Sequence, residues 1–227
     1  MNERYSRNIG TITKEEQQTL SQKSVCVIGC GGLGGGVIEN LTRLGVSKLT
    51  VVDSDMFDVT NLNRQVLSNE DNIGRSKALE AAEQMKLINS EVNITPIQTE
   101  ITKENCRQII AGHNLVIDAV DNIKTRFVLE EACEKENLTL IHGAISGWSG
   151  QVTAIRPGDK LFQKIYPADE GDASVDTSSG NPSFTAAVVS AMQTAEAIKV
   201  LLDKEDALYN KLLMIDLLDH SYEVIGF

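Results

Sequence analysis

A glycine-rich turn constrains the fold of this chain more than any other feature of its sequence. Gly29, Gly31 and Gly34 have the spacing Gly-x-Gly-x-x-Gly, directly after an apolar run at 25–28. Such a run is typical of a buried parallel strand, and apolar residues at helical spacing follow over 37–44. Glycines at this spacing let the backbone approach phosphate, and the following helix directs N–H groups at the same ligand. We therefore predict a nucleotide site here, with a tight structural turn as the alternative.

Strands and helices alternate over the next hundred or so positions. Apolar runs predict strands at 49–52, 92–98, 115–120 and 138–141, and the segments between them predict helices at 76–89, 103–111 and 124–137. Strands that alternate with helices of this length favour parallel pairing with helical crossovers. The pattern indicates a Rossmann-like, doubly wound α/β fold with a mostly parallel sheet.

The C-terminal third of the chain has a different pattern. A predicted strand at 151–156 precedes a polar stretch at 157–182, which holds three of the four prolines. A loop of this length inside a compact domain is usually functional or disordered. A long helix at 184–202 and two short strands at 212–215 and 222–225 follow. We predict that these last strands form an antiparallel edge of the sheet.

No change in composition divides the chain, so we predict a single domain over 1–227, with residues 1–24 as a polar N-terminal arm rather than a core element. The net charge of −11 argues against a nucleic-acid or acidic-membrane partner, because such proteins usually present a basic surface. The first residues lack the apolar core of a signal peptide, and no window approaches the roughly 20 apolar residues that span a bilayer. We expect a cytoplasmic protein.

Polar side chains collect where the predicted strands end. Asp53 follows the second strand and Asp121 the fourth, at the edge where open α/β sheets bind their ligands. Asp53 is placed to accept hydrogen bonds from a ribose. The loops at this edge add further polar residues, namely Asp55, Asn61, Arg64, Gln65, Lys77 and Asn122.

These polar residues separate two kinds of nucleotide chemistry. A nicotinamide dehydrogenase does not need a lysine, an arginine and a strand-end aspartate around the phosphates. Attack of a carboxylate on the α-phosphate of ATP does need them, because charge develops on the phosphoryl oxygens. Asp121 is the natural Mg²⁺ ligand, since that ion is usually held by one or two carboxylates plus phosphate oxygens. The sequence therefore favours ATP with Mg²⁺ over a dinucleotide.

In this combination and order, the motifs resemble those of the ThiF/MoeB/HesA family, the bacterial relatives of ubiquitin-activating enzymes. The resemblance covers residues 1–156, and the helix at 186–202 is also similar. The matching pieces are Arg4-Tyr5-Ser6-Arg7, the turn at 29–35, Val52-Asp53-Ser54-Asp55, Asn61-Leu62-Asn63-Arg64-Gln65, Gly74-Arg75-Ser76-Lys77, Asp121-Asn122 with Arg126, and Ser149-Gly150-Gln151-Val152.

The resemblance implies an enzyme that uses ATP and Mg²⁺ to adenylate the C-terminal carboxylate of a small ubiquitin-like sulfur-carrier protein ending in Gly-Gly. Asp53 would bind the ribose, Asp121 would hold Mg²⁺, and the phosphates would meet Asn61, Arg64, Gln65 and Lys77. The full implied nucleotide site is Gly29, Gly31, Gly32, Gly34, Asp53, Asp55, Asn61, Arg64, Gln65, Lys77, Asp121 and Asn122. The implied catalytic residues are Arg7, Arg64, Lys77 and Asp121.

The same resemblance implies a homodimer and a crossover segment. Arg7 would reach across the dimer interface to the ATP of the partner, which makes the dimer the active unit. The polar stretch 157–182 would lie over the tail of the carrier protein.

The chain departs from the family pattern in its cysteines. Many members bind zinc with two Cys-x-x-Cys pairs, but Phe162-Gln163-Lys164-Ile165 stands at the first such place. We expect no zinc and four small buried thiols instead. The crossover segment reads Asp176-Thr177-Ser178-Ser179, without the cysteine that takes the acyl group or a sulfur in many members. The chemistry would then stop at the acyl-adenylate, and a separate sulfur donor or another nucleophile would complete it.

Several alternatives stay open. The chain could be a nucleotide-binding scaffold without catalysis, a relative that activates a tRNA-base or peptide carboxylate, or a dehydrogenase. Arg126 could join the cations on the phosphate side, or it could be a helix-surface charge that pairs with Glu130 at i+4. Trp148 is predicted as a packing anchor. The histidines, His113, His142 and His220, show no ligand spacing and receive no role.

Overall fold

A computed structural model describes residues 2–166 and 179–227 of the chain. Within these residues, eight strands form one sheet in the order β3-β2-β1-β4-β5-β6-β7-β8. The strands are β1 (Ser24–Ile28), β2 (Lys48–Val52), β3 (Asn93–Ile97), β4 (Leu115–Asp118), β5 (Leu140–Ser146), β6 (Ser149–Ile155), β7 (Lys211–Asp216) and β8 (Ser221–Gly226).

The first five strands are parallel, and the last three are antiparallel to their neighbours. At the centre, Val27 of β1 lies opposite Val51 of β2 on one side and Ile117 of β4 on the other. The chain runs outward from β1 to β3 and then returns to place β4 on the free side of β1. This reversal between β1 and β4 is the topological switch point, beside which ligands bind in open α/β sheets. The predicted fold class is confirmed.

Helices cover both faces of the parallel strands. They are α1 (Lys14–Leu20), α2 (Gly32–Leu44), α3 (Lys77–Ile88), α4 (Cys106–Ile110), α5 (Ile123–Glu136), α6 (Phe162–Ile165) and α7 (Ser183–Leu201), with short 3-10 helices at Glu3–Tyr5, Val59–Asn61 and Glu70–Asn72. Among these described helices, none is long and apolar enough to cross a membrane.

The alternation of side chains along β1 explains the two helical layers. Val25 and Val27 join the core that α2, α3 and α7 cover, whereas Cys26 and Ile28 join the core of α4, α5 and α6. Successive strand residues point to opposite faces, so a strand covered on both sides must be apolar throughout. For this reason the sequences of the central strands are continuous apolar runs.

The N-terminal residues are part of the core, contrary to the prediction of a separate arm. Leu20 is fully buried against the main core, and Tyr5 is buried as well. The Tyr5 hydroxyl lies 2.9 Å from Nδ2 of Asn89, at the end of α3. Burial of these two side chains attaches the N-terminal segment to the core. The polar residues around them hid this attachment in the sequence.

The predicted crossover segment at 157–182 is not one continuous loop. Its first part folds into α6, where Leu161 and Phe162 are fully buried against α5. The main-chain N–H of Phe162 donates to Glu130, 3.0 Å away. The central part, 167–178, lies outside the described residues, and with it Asp176, Thr177 and Ser178.

Candidate active site

A large cavity lies at the carboxyl ends of the parallel strands. It has a volume of about 740 Å³ and is lined from the turns that follow β1, β2, β3 and β4. Its position beside the β1–β4 switch point matches the general location of ligand sites in this architecture. Its volume is within the usual range for small-molecule and cofactor sites.

The glycine turn forms one wall of this cavity. Gly29 has φ +96°, and a Cβ added there would lie 2.5 Å from the carbonyl oxygen of Ala119. A Cβ at Gly34 would lie only 1.8 Å from the carbonyl oxygen of Gly29. Gly29, Gly31 and Gly32 line the cavity, whereas Gly34 lies beneath the turn and lets it close. The sequence therefore needs glycine here for both conformation and space.

Asp53 connects the end of β2 to the glycine turn. One carboxylate oxygen accepts the N–H of Cys30 at 2.7 Å, and the other accepts the N–H of Asp55 at 2.8 Å. Burial raises the pKa of Asp53 above its ordinary value, although both hydrogen bonds oppose that shift. Asp53 lines the cavity beside the turn. The position suits a group that accepts hydrogen bonds from a ribose.

Lys77 and Arg64 contribute positive charge to the cavity wall. Lys77, at the first turn of α3, is buried except for 8% of its side chain, and its Nζ lies 2.9 Å from a carboxylate oxygen of Asp55. Arg64 is half-buried and donates to the carbonyl oxygen of Thr60 at 3.0 Å. Both side chains line the cavity. Positive charge in a partly desolvated wall is what an anionic ligand such as a polyphosphate requires.

Gln65 presents a buried polar group that the protein does not satisfy. Its Oε1 has no hydrogen-bond partner among the described residues, and the side chain lies beside Gly31 on the cavity wall. A buried amide without a partner is costly, so such groups in native proteins usually have a missing ligand or water. Either end of the amide can face a ligand, because rotation exchanges its oxygen and nitrogen.

Asp121 and Asn122 form the wall opposite β2, in the turn between β4 and α5. Asn122 caps α5 by accepting the N–H of Thr125 at 2.9 Å. The exposed carboxylate of Asp121 makes no hydrogen bond or ion pair with the described part of the chain. In residues 2–166 and 179–227 we find no group of three His, Cys, Asp or Glu that could hold a metal. A carboxylate without a protein partner is the kind of group that can hold Mg²⁺ together with phosphate oxygens of a ligand.

Of the predicted site residues, Gly34 lies beneath the glycine turn without lining the cavity, and two more, Asn61 and Arg7, lie away from it. Asn61 is buried in the Val59–Asn61 turn, where its Oδ1 accepts the N–H of Asp58 at 3.0 Å. Arg7 is exposed on the N-terminal segment and does not line the cavity. Within one protomer, the structure brings together the other predicted residues but neither of these two.

The interpretation of Arg126 as a surface charge is wrong. Only 2% of this residue is exposed, and its guanidinium donates to the Tyr166 hydroxyl at 2.6 Å and to the carbonyl oxygen of Val120 at 3.0 Å. Glu130, its predicted partner, instead accepts the N–H of Phe162. Arg126 also reaches the cavity wall next to the turn that carries Asp121.

His142 likewise has a structural environment that its sequence position did not predict. The ring is fully buried on β5, with Nδ1 lying 2.7 Å from a carboxylate oxygen of Asp118. Burial lowers the pKa of His142, although Asp118 opposes that shift. The one available signal was the placement of two ionisable residues, Asp118 and His142, within otherwise apolar strands.

The tryptophan prediction is also wrong, whereas the cysteine prediction is confirmed. Trp148 is 47% exposed and stacks on Phe184 with ring centroids 4.5 Å apart, so it does not anchor the core. All four cysteines are free and buried. Burial raises the pKa of the Cys30 thiol well above its ordinary value and that of Cys106 to about 11.

Comparison with known proteins identifies relatives of this chain. A family profile described as "ThiF family" matches residues 5–226. The chain is 34% identical to "SAMP-activating enzyme E1" of Haloferax volcanii, covering 99% of this chain and 85% of that protein. It is also 34% identical to "Sulfur carrier protein adenylyltransferase" of Thermus thermophilus, covering 97% and 85%.

Two further matches show how far the likeness extends. The chain is 31% identical to "Adenylyltransferase and sulfurtransferase MOCS3-1" of Zea mays, but it spans only 48% of that protein. The crystal structure of Escherichia coli MccB with ATP superposes with a TM-score of 0.85 at 21% identity, covering 100% of this chain and 71% of that one. The last likeness supports the fold alone.

Proposed function

The chain belongs to the ThiF family, and we propose that it is an ATP-dependent adenylyltransferase acting on the C-terminal carboxylate of a small ubiquitin-like sulfur-carrier protein. The relatives named above support the activity class, since one is named as activating SAMP and another as a sulfur-carrier adenylyltransferase. One structural observation carries the proposal. A glycine turn, three cationic side chains and an uncommitted carboxylate, that of Asp121, line the same cavity.

In the proposed reaction, a carboxylate oxygen of the carrier attacks the α-phosphorus of ATP. A new C–O–P linkage forms, the bond between the α-phosphorus and the bridging oxygen breaks, and pyrophosphate leaves with that electron pair. Negative charge grows on the phosphoryl oxygens in the transition state, so cations aimed at them accelerate the step. Mg²⁺, when bound, neutralises phosphate charge and orients the leaving group.

The chain's own residues divide this work between binding and charge stabilisation. Gly29, Gly31 and Gly32 let the backbone approach the nucleotide, and Asp53 accepts hydrogen bonds from the ribose. Arg64 and Lys77 would stabilise the phosphate charge together with the amide of Gln65, and Asp121 would hold Mg²⁺, with Asn122 beside it on the cavity wall.

The proposal extends to the assembly and to the step after adenylation. Arg7 is exposed outside the cavity, as expected for a side chain that completes the site of a partner subunit in a homodimer.

The four thiols are buried, and a thiol with a raised pKa is a poor nucleophile. We therefore assign sulfur transfer to a separate donor protein. Free thiols are expected in the reducing cytoplasm, where we place the reaction.

Isotope exchange between pyrophosphate and ATP tests this function. The folded chain is incubated with ATP, Mg²⁺, labelled pyrophosphate and carrier proteins that end in Gly-Gly. Label enters ATP only if an acyl-adenylate forms reversibly, so exchange must depend on the carrier. The matched control is the same carrier with its C-terminal carboxylate amidated, which removes the nucleophile.

The possible outcomes separate the proposed enzyme from its alternatives. Carrier-dependent exchange that the amidated control abolishes supports the proposal. ATP binding without exchange across several carriers contradicts it and favours a nucleotide-binding scaffold. Exchange driven by a peptide or a tRNA instead of a carrier identifies a different carboxylate substrate. Tight NAD binding without dependence on Mg²⁺ identifies a dehydrogenase.

A further inference from the structure

Val120, the residue before Asp121, is held through both its backbone N–H and its carbonyl oxygen by buried charged side chains. The N–H of Val120 donates to a carboxylate oxygen of Asp118 at 3.1 Å. The carbonyl oxygen of Val120 accepts from Arg126 at 3.0 Å. Asp118 is fully buried and Arg126 almost so. The backbone that leads into Asp121 therefore depends on the positions of two buried side chains.

Those two side chains are fixed in turn from their far side. The second oxygen of Asp118 lies 2.7 Å from Nδ1 of His142, and Arg126 donates to the hydroxyl of Tyr166 at 2.6 Å. The hydroxyl of Tyr166 lies 3.2 Å from Nε2 of His142, and Nε2 of Gln151 lies 2.8 Å from the same hydroxyl. Hydrogen bonds thus connect the five side chains Asp118, His142, Tyr166, Arg126 and Gln151.

The donors and acceptors of this network are mutually consistent. A neutral His142 with its proton on Nδ1 donates to the Asp118 carboxylate, which leaves Nε2 as an acceptor. The Tyr166 hydroxyl can then donate its one proton to Nε2 and accept from both Arg126 and Gln151. Burial raises the pKa of Tyr166 to about 12, so this hydroxyl keeps its proton.

The network buries more polar and charged side chains than packing of the core requires. Nε of Arg126 lies 3.7 Å from the Asp118 carboxylate, so two opposite charges are buried together. Apolar residues of similar volume often stabilise a fold as well as a buried ion pair does. Both charges instead hold the backbone of one residue, Val120, which lies next to the proposed Mg²⁺ ligand. The arrangement can therefore fix the orientation of the backbone that carries Asp121.

We propose that Tyr166 is a positioning residue for the Asp121 carboxylate, acting through Arg126 and the carbonyl oxygen of Val120. The inference rests on the proposed function, which assigns Mg²⁺ to Asp121. Mg²⁺ demands near-ideal octahedral geometry, so small displacements of a ligand weaken its hold on the ion. Groups behind metal ligands commonly change metal affinity by about 10–100-fold when they are removed.

The test compares Tyr166→Phe with Tyr209→Phe. Both changes delete one phenolic oxygen, but the hydroxyl of Tyr209 makes no hydrogen bond within the described residues, where its ring packs under Arg156 at 3.7 Å. Calorimetry measures ATP binding with and without Mg²⁺. The dissociation constant without Mg²⁺ divided by the dissociation constant with Mg²⁺ gives the factor by which Mg²⁺ strengthens ATP binding, here called the Mg²⁺ ratio. Tyr166→Phe is expected to lower this ratio about three- to tenfold, as loss of one hydrogen bond does. Affinity without Mg²⁺ should change by less than about twofold.

A second variant tests the route from Tyr166 to Asp121. Arg126→Lys keeps the buried positive charge but loses the planar guanidinium, which donates to Val120 and Tyr166 at the same time. This variant should therefore lower the Mg²⁺ ratio, and it can be tested even if Tyr166→Phe does not fold. In the double variant the two losses should not add, because both act through one guanidinium. Thermal melting of each variant confirms that it is folded.

Three results overturn the inference. The Mg²⁺ ratio of folded Tyr166→Phe could equal that of wild type, or Tyr209→Phe could lower it equally, or ATP binding could weaken to the same extent with and without Mg²⁺. Mg²⁺-coupled ATP binding in a wild-type chain that activates no carrier would overturn the proposed function and leave this inference standing. Failure of the wild-type chain to bind ATP would overturn both.

Discussion

Nζ of Lys77 lies 2.9 Å from a carboxylate oxygen of Asp55, so this buried cation of the cavity wall has an anionic partner on the protein itself. Lys77 is nearly buried, whereas 64% of the Asp55 side chain is exposed. An entering phosphate therefore competes with an exposed carboxylate for this lysine. The pair allows the protein to bury the ammonium group without leaving its charge uncompensated.

Lys77→Ala should reduce ATP–pyrophosphate exchange about 10²–10³-fold, the usual cost of losing one group that stabilises transition-state charge. The Asp55 carboxylate would then face the phosphates without a cation beside it. The matched control is Lys86→Ala, since Lys86 is exposed on the same helix, α3. Its exchange rate should stay within about twofold of wild type. A Lys77→Ala enzyme that retained more than about a tenth of wild-type exchange would contradict this role.

Asp55→Asn should tighten the binding of ATP in the absence of Mg²⁺. An ion pair with an exposed carboxylate contributes about 0.2–1 kcal/mol, which corresponds to at most about a fivefold change in affinity. Asp71→Asn provides the control, because Asp71 is exposed and does not line the cavity. Equal changes in both variants, measured by calorimetry, would show that overall charge and not release of Lys77 is responsible.

The sequence predicted those features whose signals are local or periodic. The alternation of apolar runs with helices identified the parallel half of the sheet, and glycine spacing identified one wall of the cavity. Asp53 and Asp121 could be placed because residues at the carboxyl ends of parallel strands meet at one edge. Each of these inferences needs only the residues within one element or at its end.

Arg126 shows why the rest of the site could not be predicted. Its spacing to Glu130 fits a surface pair, but its actual partners come from α6, from the turn after β4 and from β4 itself. Tyr166 lies 40 positions away in the chain, and such a contact has no periodic signature in one sequence. Tertiary packing decides it, as it decides the burial of Tyr5 and Leu20 in a polar segment.

The buried His142 should make stability fall in mild acid. Burial holds its folded-state pKa below the value of about 6.5 that the unfolded chain has. Below pH 6.5, the unfolded state therefore binds a proton that the folded state does not, and the free energy of unfolding decreases as pH falls. One such group contributes at most about 1.4 kcal/mol per pH unit.

Urea unfolding between pH 7.5 and 5.5 measures this effect. His142→Gln removes the titrating group and keeps hydrogen-bonding capacity, so its stability should depend less on pH than that of wild type. Equal pH dependence in the two proteins would show that His142 is not the group responsible.

Gly29→Ala should destabilise the chain through a steric clash as well as through backbone strain. The added Cβ would lie 2.5 Å from the carbonyl oxygen of Ala119, and φ is +96°. Gly158 has a similar φ of +90°, but nothing lies within 4 Å of an added Cβ there. Gly158→Ala should therefore cost about 1–3 kcal/mol from strain alone. Gly29→Ala should cost more in urea unfolding, and equal costs would show that the turn adapts without a clash.

Mixing two inactive variants tests whether Arg7 completes the site of a partner subunit. In a symmetric dimer of Arg7→Ala with Lys77→Ala, one site receives Lys77 from the first chain and Arg7 from the second, so it regains both side chains. The other site lacks both. Random exchange of equal amounts forms heterodimers in half of the population, so about a quarter of all sites should be restored.

The measurement is pyrophosphate exchange after the two variants are co-refolded in equal amounts, compared with each variant refolded alone. A double variant carrying both changes in one chain, refolded with wild type, controls for exchange of subunits. Each such heterodimer contains one site that lacks Arg7 and one that lacks Lys77, so every heterodimer should be inactive. If Arg7 acted within its own chain, the mixture of single variants would stay as inactive as its components, while the control mixture would keep about half of wild-type exchange.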